Sequence, residues 1–403
     1  MGNCVSSPST KKLAVIAVTL LFATTCLAQG VEKVIFTFSG GVDGGQPSAN
    51  LVQDSKGNLY GTTLSGGDGF YGTLFELSKN SDGSWTEQTI HDFGIEQNDG
   101  QFPAAGLVMD GKGNLYGSTV QGGVFHDGVI FEFTLGNGGT WVENIIDNFS
   151  GENEGAQVYA PLVLDRLGNL YGTTLGGGVN GNGTAFELVA GPNGVWTEKT
   201  LYNFTGGNDG GYPYRAPLRF DSAGNLYGVA ASGGAHDYGA IFELSPNSNG
   251  TWTEKTVHAF SGGAGDIGGQ CGIIFDAAGN LYLEAVYALL ELSPGSDGTW
   301  TVKNLHNFAG GSDGADANGG LTFDKAGNLY GTTAYGGLHQ GIVFEMTPNS
   351  NGTWTEKIFH KFTGGSDGQF PFSTVTVGNN GVIYGTTEFG GASNFGVAFE
   401  IQP

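Results

Sequence analysis

The stretch Gly57-Asn58-Leu59-Tyr60-Gly61-Thr62-Thr63 is the phrase the chain repeats. It returns at residues 113–119, 168–174, 224–230, 279–285 and 327–333, and as Gly381-Val382-Ile383-Tyr384-Gly385-Thr386-Thr387. Successive copies start 56, 55, 56, 55, 48 and 54 residues apart. A steady period of this size marks propellers and solenoids, whose units bury their apolar faces only against their neighbours. Each period divides into four short runs rich in Val, Ile, Leu, Phe, Tyr, Trp and Thr, with Gly, Asn and Asp at the junctions, the pattern of strands and turns. In the second copy these are residues 106–110 (strand A), 114–120 (B), 128–134 (C) and 141–149 (D). Asp110-Gly111-Lys112-Gly113 between A and B is a tight-turn signature, since Asp bonds the backbone two residues on and Gly accepts a positive φ.

Six Trp serve seven copies, and the missing one points to closure. The last copy ends at Pro403 after its strand C, whereas Val31-Glu32-Lys33-Val34-Ile35-Phe36-Thr37-Phe38 matches strand D at 254–260. The expectation is an all-β protein: a seven-bladed β-propeller of four-stranded blades, the last blade closed by the N-terminal strand, with no open edge.

Gly is 75 of 403 residues without a collagen period, so the glycines lie in turns. A formal net charge of −23 disfavours nucleic acid and anionic lipid as partners. Lys11-Lys12 followed by an apolar run to Ala28 reads as a secretory signal over residues 1–28, with cleavage before Gln29 and the propeller over 29–403. Two weaker alternatives are a lipidated Cys26 and the myristoylation pattern Met1-Gly2-Asn3-Cys4-Val5-Ser6. The mature chain then holds Cys271 alone and no internal disulfide, and nothing in it approaches the ~18 apolar residues of a membrane span. A monomer outside the cytoplasm, without membrane insertion, is expected.

Strand B ending in Gly-Gly (115–123), the Phe-Glu-Leu strand and the Trp after it resemble a kelch-type blade. More closely, residues 31–403 resemble the GloVer tandem-repeat proteins of secreted bacterial origin, named for Gly-rich repeats and bearing varied C-terminal anchors. This chain departs by stopping at Pro403 without an anchor. The resemblance implies an exported propeller and implies no activity.

Residues present in every copy build the blade, and those present in one copy are candidates for a site. Glu76, Glu132, Glu187, Glu243, Glu291, Glu345 and Glu400 recur in strand C and read as structural, as do the strand D histidines His91, His258, His306 and His360. The D–A loops carry Asp43, Asp99, Glu154, Asp209, Asp266, Asp313 and Asp367. They read first as turn residues. Asp43, Asp99, Asp209, Asp313 and Asp367 could also form a ring holding a hard cation such as calcium, which takes oxygen ligands. No cofactor is otherwise expected. His126, His236 and His339 lie in alternate blades, too far apart for one zinc site.

The B–C loops vary most, and blade five has lost its loop, which opens a notch in the rim. Beside that notch Tyr212, Tyr214, Arg215, His236, Asp237 and Tyr238 are explained by no repeat, and Phe125, His126 and Asp127 lie two blades away. They form the candidate ligand site, a shallow surface spanning blades four and five. Arg215 would act there as a charge-assisted donor to an acidic sugar. The reading is a secreted binding or scaffold module for a glycan or an extracellular protein. The alternative is a lyase or glycoside hydrolase acting on extracellular polysaccharide. Hydrolysis would need two carboxylates about 5 or 6.5–9.5 Å apart, and Asp127 and Asp237 are candidates by position alone.

Overall fold

The computed structural model describes residues 30–263, 265–268 and 272–403. The secretory signal expected over 1–28 and Cys271 lie outside the described residues. Seven four-stranded antiparallel sheets follow one another around a channel. Strands A to D are Val52–Gln53, Leu59–Thr63, Thr73–Lys79 and Trp85–Asp92 in blade one. Blade two has Val108–Met109, Leu115–Ser118, Val129–Leu135 and Trp141–Asn148, and blade three Val163–Leu164, Leu170–Thr174, Thr184–Ala190 and Trp196–Asn203. Blade four has Arg219–Phe220, Leu226–Ala230, Ala240–Pro246 and Trp252–Ala259. Blade five has Ile274–Phe275, Leu281–Ala285, Ala288–Pro294 and Trp300–Asn307. Blade six has Thr322–Phe323, Leu329–Thr333, Ile342–Pro348 and Trp354–Lys361. Blade seven takes Thr376–Val377, Ile383–Thr387 and Val397–Gln402 from the C-terminus and Val31–Thr37 from the N-terminus. Its last pairing runs from Val31↔Gln402 to Thr37↔Val397, so the expected closure is present.

The repeated phrase folds as it does for identifiable reasons. The Asp54 carboxylate accepts the amides of Lys56 and Asn58 and the Asn58 side chain, which ties the A–B turn. In strand B, Leu59 and Tyr60 are buried. Gly61 pairs with Phe75 of strand C, and a Cβ there would stand 2.6 Å from the Phe75 ring. The glycine therefore makes room for the ring. Phe38 of the preceding blade meets that ring edge-on at 5.1 Å, and the pairs Phe93–Phe131, Phe149–Phe186, Phe204–Phe242, Phe308–Phe344 and Phe362–Phe399 repeat the contact. Burying each such ring contributes about 1.5–3 kcal/mol. Blade five changes both partners at once: Leu283 replaces the glycine and pairs with Leu290 in place of the Phe. The strand C glutamates are structural as expected, with Glu132, Glu187 and Glu345 accepting the hydroxyls of Tyr116, Tyr171 and Tyr330.

Hydroxyls of strand B stitch one blade to the next. Thr62 donates to Ala105 O, Ser118 to Val158 O and Thr332 to Ser373 O, while Thr386 closes the ring onto Ala49 O at 3.2 Å. On the face where D–A and B–C loops gather, the two kinds of loop pair through bridges such as Gly45↔Ser65, Gly211↔Ser232 and Gln369↔Phe389. Blade five lacks that B–C loop: Ala285 pairs directly with Ala288 across a turn of Val286 and Tyr287.

Candidate functional site

The D–A loops descend into the channel, and their spacing reveals what is special in blade four. Gln46, Phe102 and Gln157 each precede the turn aspartate (Asp54, Asp110, Asp165) by the same interval. Tyr212 precedes Asp221 by one residue more, and the added residue is Arg215. Left-handed φ values recur at Gln46, Phe102, Gln157, Tyr212, Asp316 and Phe370, one per loop. The loop entering blade four adds Arg215 at φ 57°, and the one entering blade two adds Asn98 at φ 64°. Such a conformation is uncommon for a residue with a side chain and costs free energy that the surrounding structure must offset.

Arg215 lines a channel cavity of about 320 Å³ together with Tyr159, Asn318, Phe372 and Arg219. Tyr159 and Tyr214 pack with ring centroids 4.8 Å apart, and the Arg215 guanidinium lies 5.4 Å from the Tyr214 ring. Arg219 opens strand A of blade four, where the other blades have Val52, Val108, Val163, Ile274, Thr322 and Thr376. It lines this cavity and also the cavity at the opposite end of the channel.

The electrostatics of the channel oppose those of the whole chain. No carboxylate is among the residues lining either cavity. Among the described residues neither Arg215 nor Arg219 forms an ion pair, and the buried Nε of Arg215 has no hydrogen-bond partner. Arg219 donates to Leu218 O at 3.1 Å. Burial draws its guanidinium below the ordinary arginine value, because enclosure disfavours the charged form. The field of Arg215 reaches the Tyr159 hydroxyl and the Glu388 carboxyl of blade seven: burial raises both, and Arg215 opposes the rise.

The other expected site residues occupy different places. Tyr212 and Tyr238 are partly exposed on the loop face. A Cβ at Gly262 would stand 2.2 Å from the Tyr238 ring, so that ring covers the next blade's loop. Tyr71, Asp127, Asn182, Gln340 and Phe395 cover Gly94, Gly151, Gly206, Gly364 and Gly40 in the same way. Phe125, His126, His236 and Asp237 are exposed, and His126 and Asp237 hold the left-handed position of their B–C turns (φ 68° and 64°). The structure thus places Arg215 in the channel with Tyr214 packed behind it on Tyr159, and leaves the rest on the rim. Arg219 was the residue missed, although its signal was present: an arginine at a position otherwise Val, Ile or Thr.

The five aspartates of the expected cation ring are held by their own loops. Asp43 accepts the Ser39 amide and hydroxyl, Asp209 those of Thr205, and Asp367 those of Thr363. Asp99 accepts the Gly94 and Gly100 amides, and Asp313 the Ala309 amide. They stand beside strand D at the seams between blades, outside the residues that line the channel.

Comparison with known proteins gives the fold a family and leaves the site to its own chemistry. Residues 19–197 and 138–289 match the profile of the Gloeobacter/Verrucomicrobia repeat. No curated protein matches the sequence. Virginiamycin B lyase from Staphylococcus aureus is similar in structure, with TM-score 0.54 and 13% identity over 93% of this chain and 99% of that one. The extracellular domain of a protein assigned as a hybrid two-component system from B. thetaiotaomicron has TM-score 0.57 and 14% identity, over 93% of this chain and 41% of that one. A protein assigned as a 6-phosphogluconolactonase from Bacteroides uniformis has TM-score 0.53 and 13% identity, over 82% and 88%. At these identities the likeness is one of fold.

Proposed function

This chain belongs to the Gloeobacter/Verrucomicrobia repeat family, and from that premise we propose that its function lies in the blade that departs from the repeat. The protein is a binding module exported from the cytoplasm, and its channel takes an acidic glycan, a uronate. The carrying observation is the buried, unpartnered Nε of Arg215 in a cavity that also holds Arg219 and no carboxylate. A buried guanidinium Nε left without an acceptor is an incomplete interaction, and a carboxylate completes it with charge-assisted, often bidentate geometry. Tyr159, backed by the Tyr214 ring, adds aromatic surface at the same cavity, suited to the apolar face of a sugar ring. Export is supported by the basic and apolar leader, and the surface charge of −23 would repel a polyanion everywhere except at this channel.

The test is calorimetric titration of the leaderless chain with a galacturonate oligomer and with a neutral dextran oligomer. The uronate should bind, more weakly as salt rises, and dextran should not. Each arginine hydrogen-bonded to a carboxylate is worth about 1.5–3 kcal/mol. An Arg215→Met/Arg219→Met chain that melts like the parent should therefore lose binding by at least about 100-fold. A folded double variant that binds as tightly as the parent rules the channel out.

A further inference from the structure

Outside the channel, the seams between blades carry a repeated cluster that the binding function does not use. Position by position, a residue near the end of strand D faces the D–A loop carboxylate and a glutamate on strand D of the next blade. In three seams this set is histidine, aspartate and glutamate: His91, Asp99 and Glu143 between blades one and two, His306, Asp313 and Glu356 between blades five and six, and His360, Asp367 and Glu32 between blades six and seven. In the first two sets the ligand atoms all lie within 4.8 Å of one another.

From this geometry we propose that these two seams are binding sites for a zinc-type divalent metal, each fastening one blade to the next. Tetrahedral coordination with bonds of about 2.0–2.2 Å places ligand atoms roughly 3.3–3.6 Å apart. His91 Nε2 stands 3.1 Å from Asp99 Oδ2 and 3.6 Å from Glu143 Oε2. His306 Nε2 stands 3.2 Å from Asp313 Oδ1 and 3.9 Å from Glu356 Oε1. One imidazole and two carboxylates suit zinc better than calcium, which prefers oxygen donors alone.

Unmet polar atoms point the same way independently. Glu143 Oε1, Glu356 Oε1 and His306 Nε2 are buried and have no hydrogen-bond partner. A buried polar atom without a partner is costly, and a metal would supply one. The aspartates are oriented from behind, Asp99 by the Gly94 and Gly100 amides at 2.6 Å and Asp313 by the Ala309 amide at 2.7 Å. Ring contacts at 4.8 Å with Phe93 and 4.9 Å with Phe308 hold the two imidazoles. Such supporting contacts are what set a ligand's direction in a metal site.

The molecule contains its own control. Between blades four and five, strand D of the second blade has Val302 where the other two seams have Glu143 and Glu356. There the third ligand is lost, and His258 and Asp266 hydrogen-bond directly at 2.7 Å, as His91 and Asp99 do at 3.1 Å.

The experiment is zinc titration of chelator-stripped, tag-free protein. Two equivalents are expected. Glu143→Gln or Glu356→Gln should bind one, the double variant none, and His258→Ala still two. Cobalt(II) should give the visible absorption of a tetrahedral nitrogen and oxygen site, a readout that holds even if a variant fails to fold. A parent that shows no such spectrum, or a stoichiometry that neither glutamate substitution lowers, overturns the proposal.

Discussion

At the scale of the residue, one missing side chain and one added residue carry most of the meaning. Gly172 faces Phe186, and a Cβ would stand 2.5 Å from that ring and 3.0 Å from Leu162. Gly172→Ala should cost about 1–3 kcal/mol through overpacking. Adding Phe186→Leu should recover part of the loss, because blade five already packs Leu283 against Leu290. Chemical denaturation of the single and double variants measures both, and an unchanged single variant would refute this account of the phrase. Arg215 is the opposite case. Nothing about it recurs, and its position in the channel follows from an insertion visible only when the loops are counted against Asp54 and its counterparts.

At the scale of the element, the N-terminal strand Val31–Thr37 is the piece whose removal the fold should not survive. It pairs along its length with Val397–Gln402 and buries Ile35 and, just beyond, Phe38. Without it strand C of blade seven becomes an exposed edge beside an unfilled core. Deleting residues 30–38 should abolish the cooperative melt and bring association in gel filtration. A truncated chain that melts like the parent would show that blade seven stands on three strands. This element was legible from its likeness to the strand at 254–260. The short inner strands were less so: strand A of blade two is Val108–Met109 rather than 106–110. Gly106 and Leu107 line the channel instead, and Asp110 belongs to the turn, its amide bonding Asn114 O, which pattern alone does not reveal.

At the scale of the molecule, six of the seven seams set a strand D glutamate near a D–A loop carboxyl group, and pH should act on them together. The seam between blades two and three is the simplest. Burial raises the Glu198 carboxyl to about 7, with Asp147 and Glu154 adding to the rise. Burial raises Asp147 to about 6, Glu154 again adding. A carboxyl whose value is raised by folding stabilises the folded state when protonated. Its contribution is complete below the ordinary carboxyl range and is lost as pH rises through 6 to 7. With chelator present, the melting temperature should therefore fall between pH 5 and pH 8. Glu198→Gln should raise it by a few degrees at pH 8 and leave it nearly unchanged at pH 5. A pH-independent difference between variant and parent would remove this explanation.

Sequence by itself determined the blade count, the strand order, the closure and the structural standing of the strand C glutamates. Each of these rests on local pattern repeated seven times, and repetition makes a local rule global. Where the candidate residues stand relative to one another was decided only by tertiary structure. Tyr212 and Tyr214 are two residues apart, yet one is exposed on the loop face and the other is half-buried against Tyr159. Arg219 meets Arg215 in one cavity because strand A carries it down the channel wall. His91 meets Glu143, and His306 meets Glu356, because adjacent blades press their outer strands together. Contacts between units depend on how the ring packs, and a period read along one chain does not contain them.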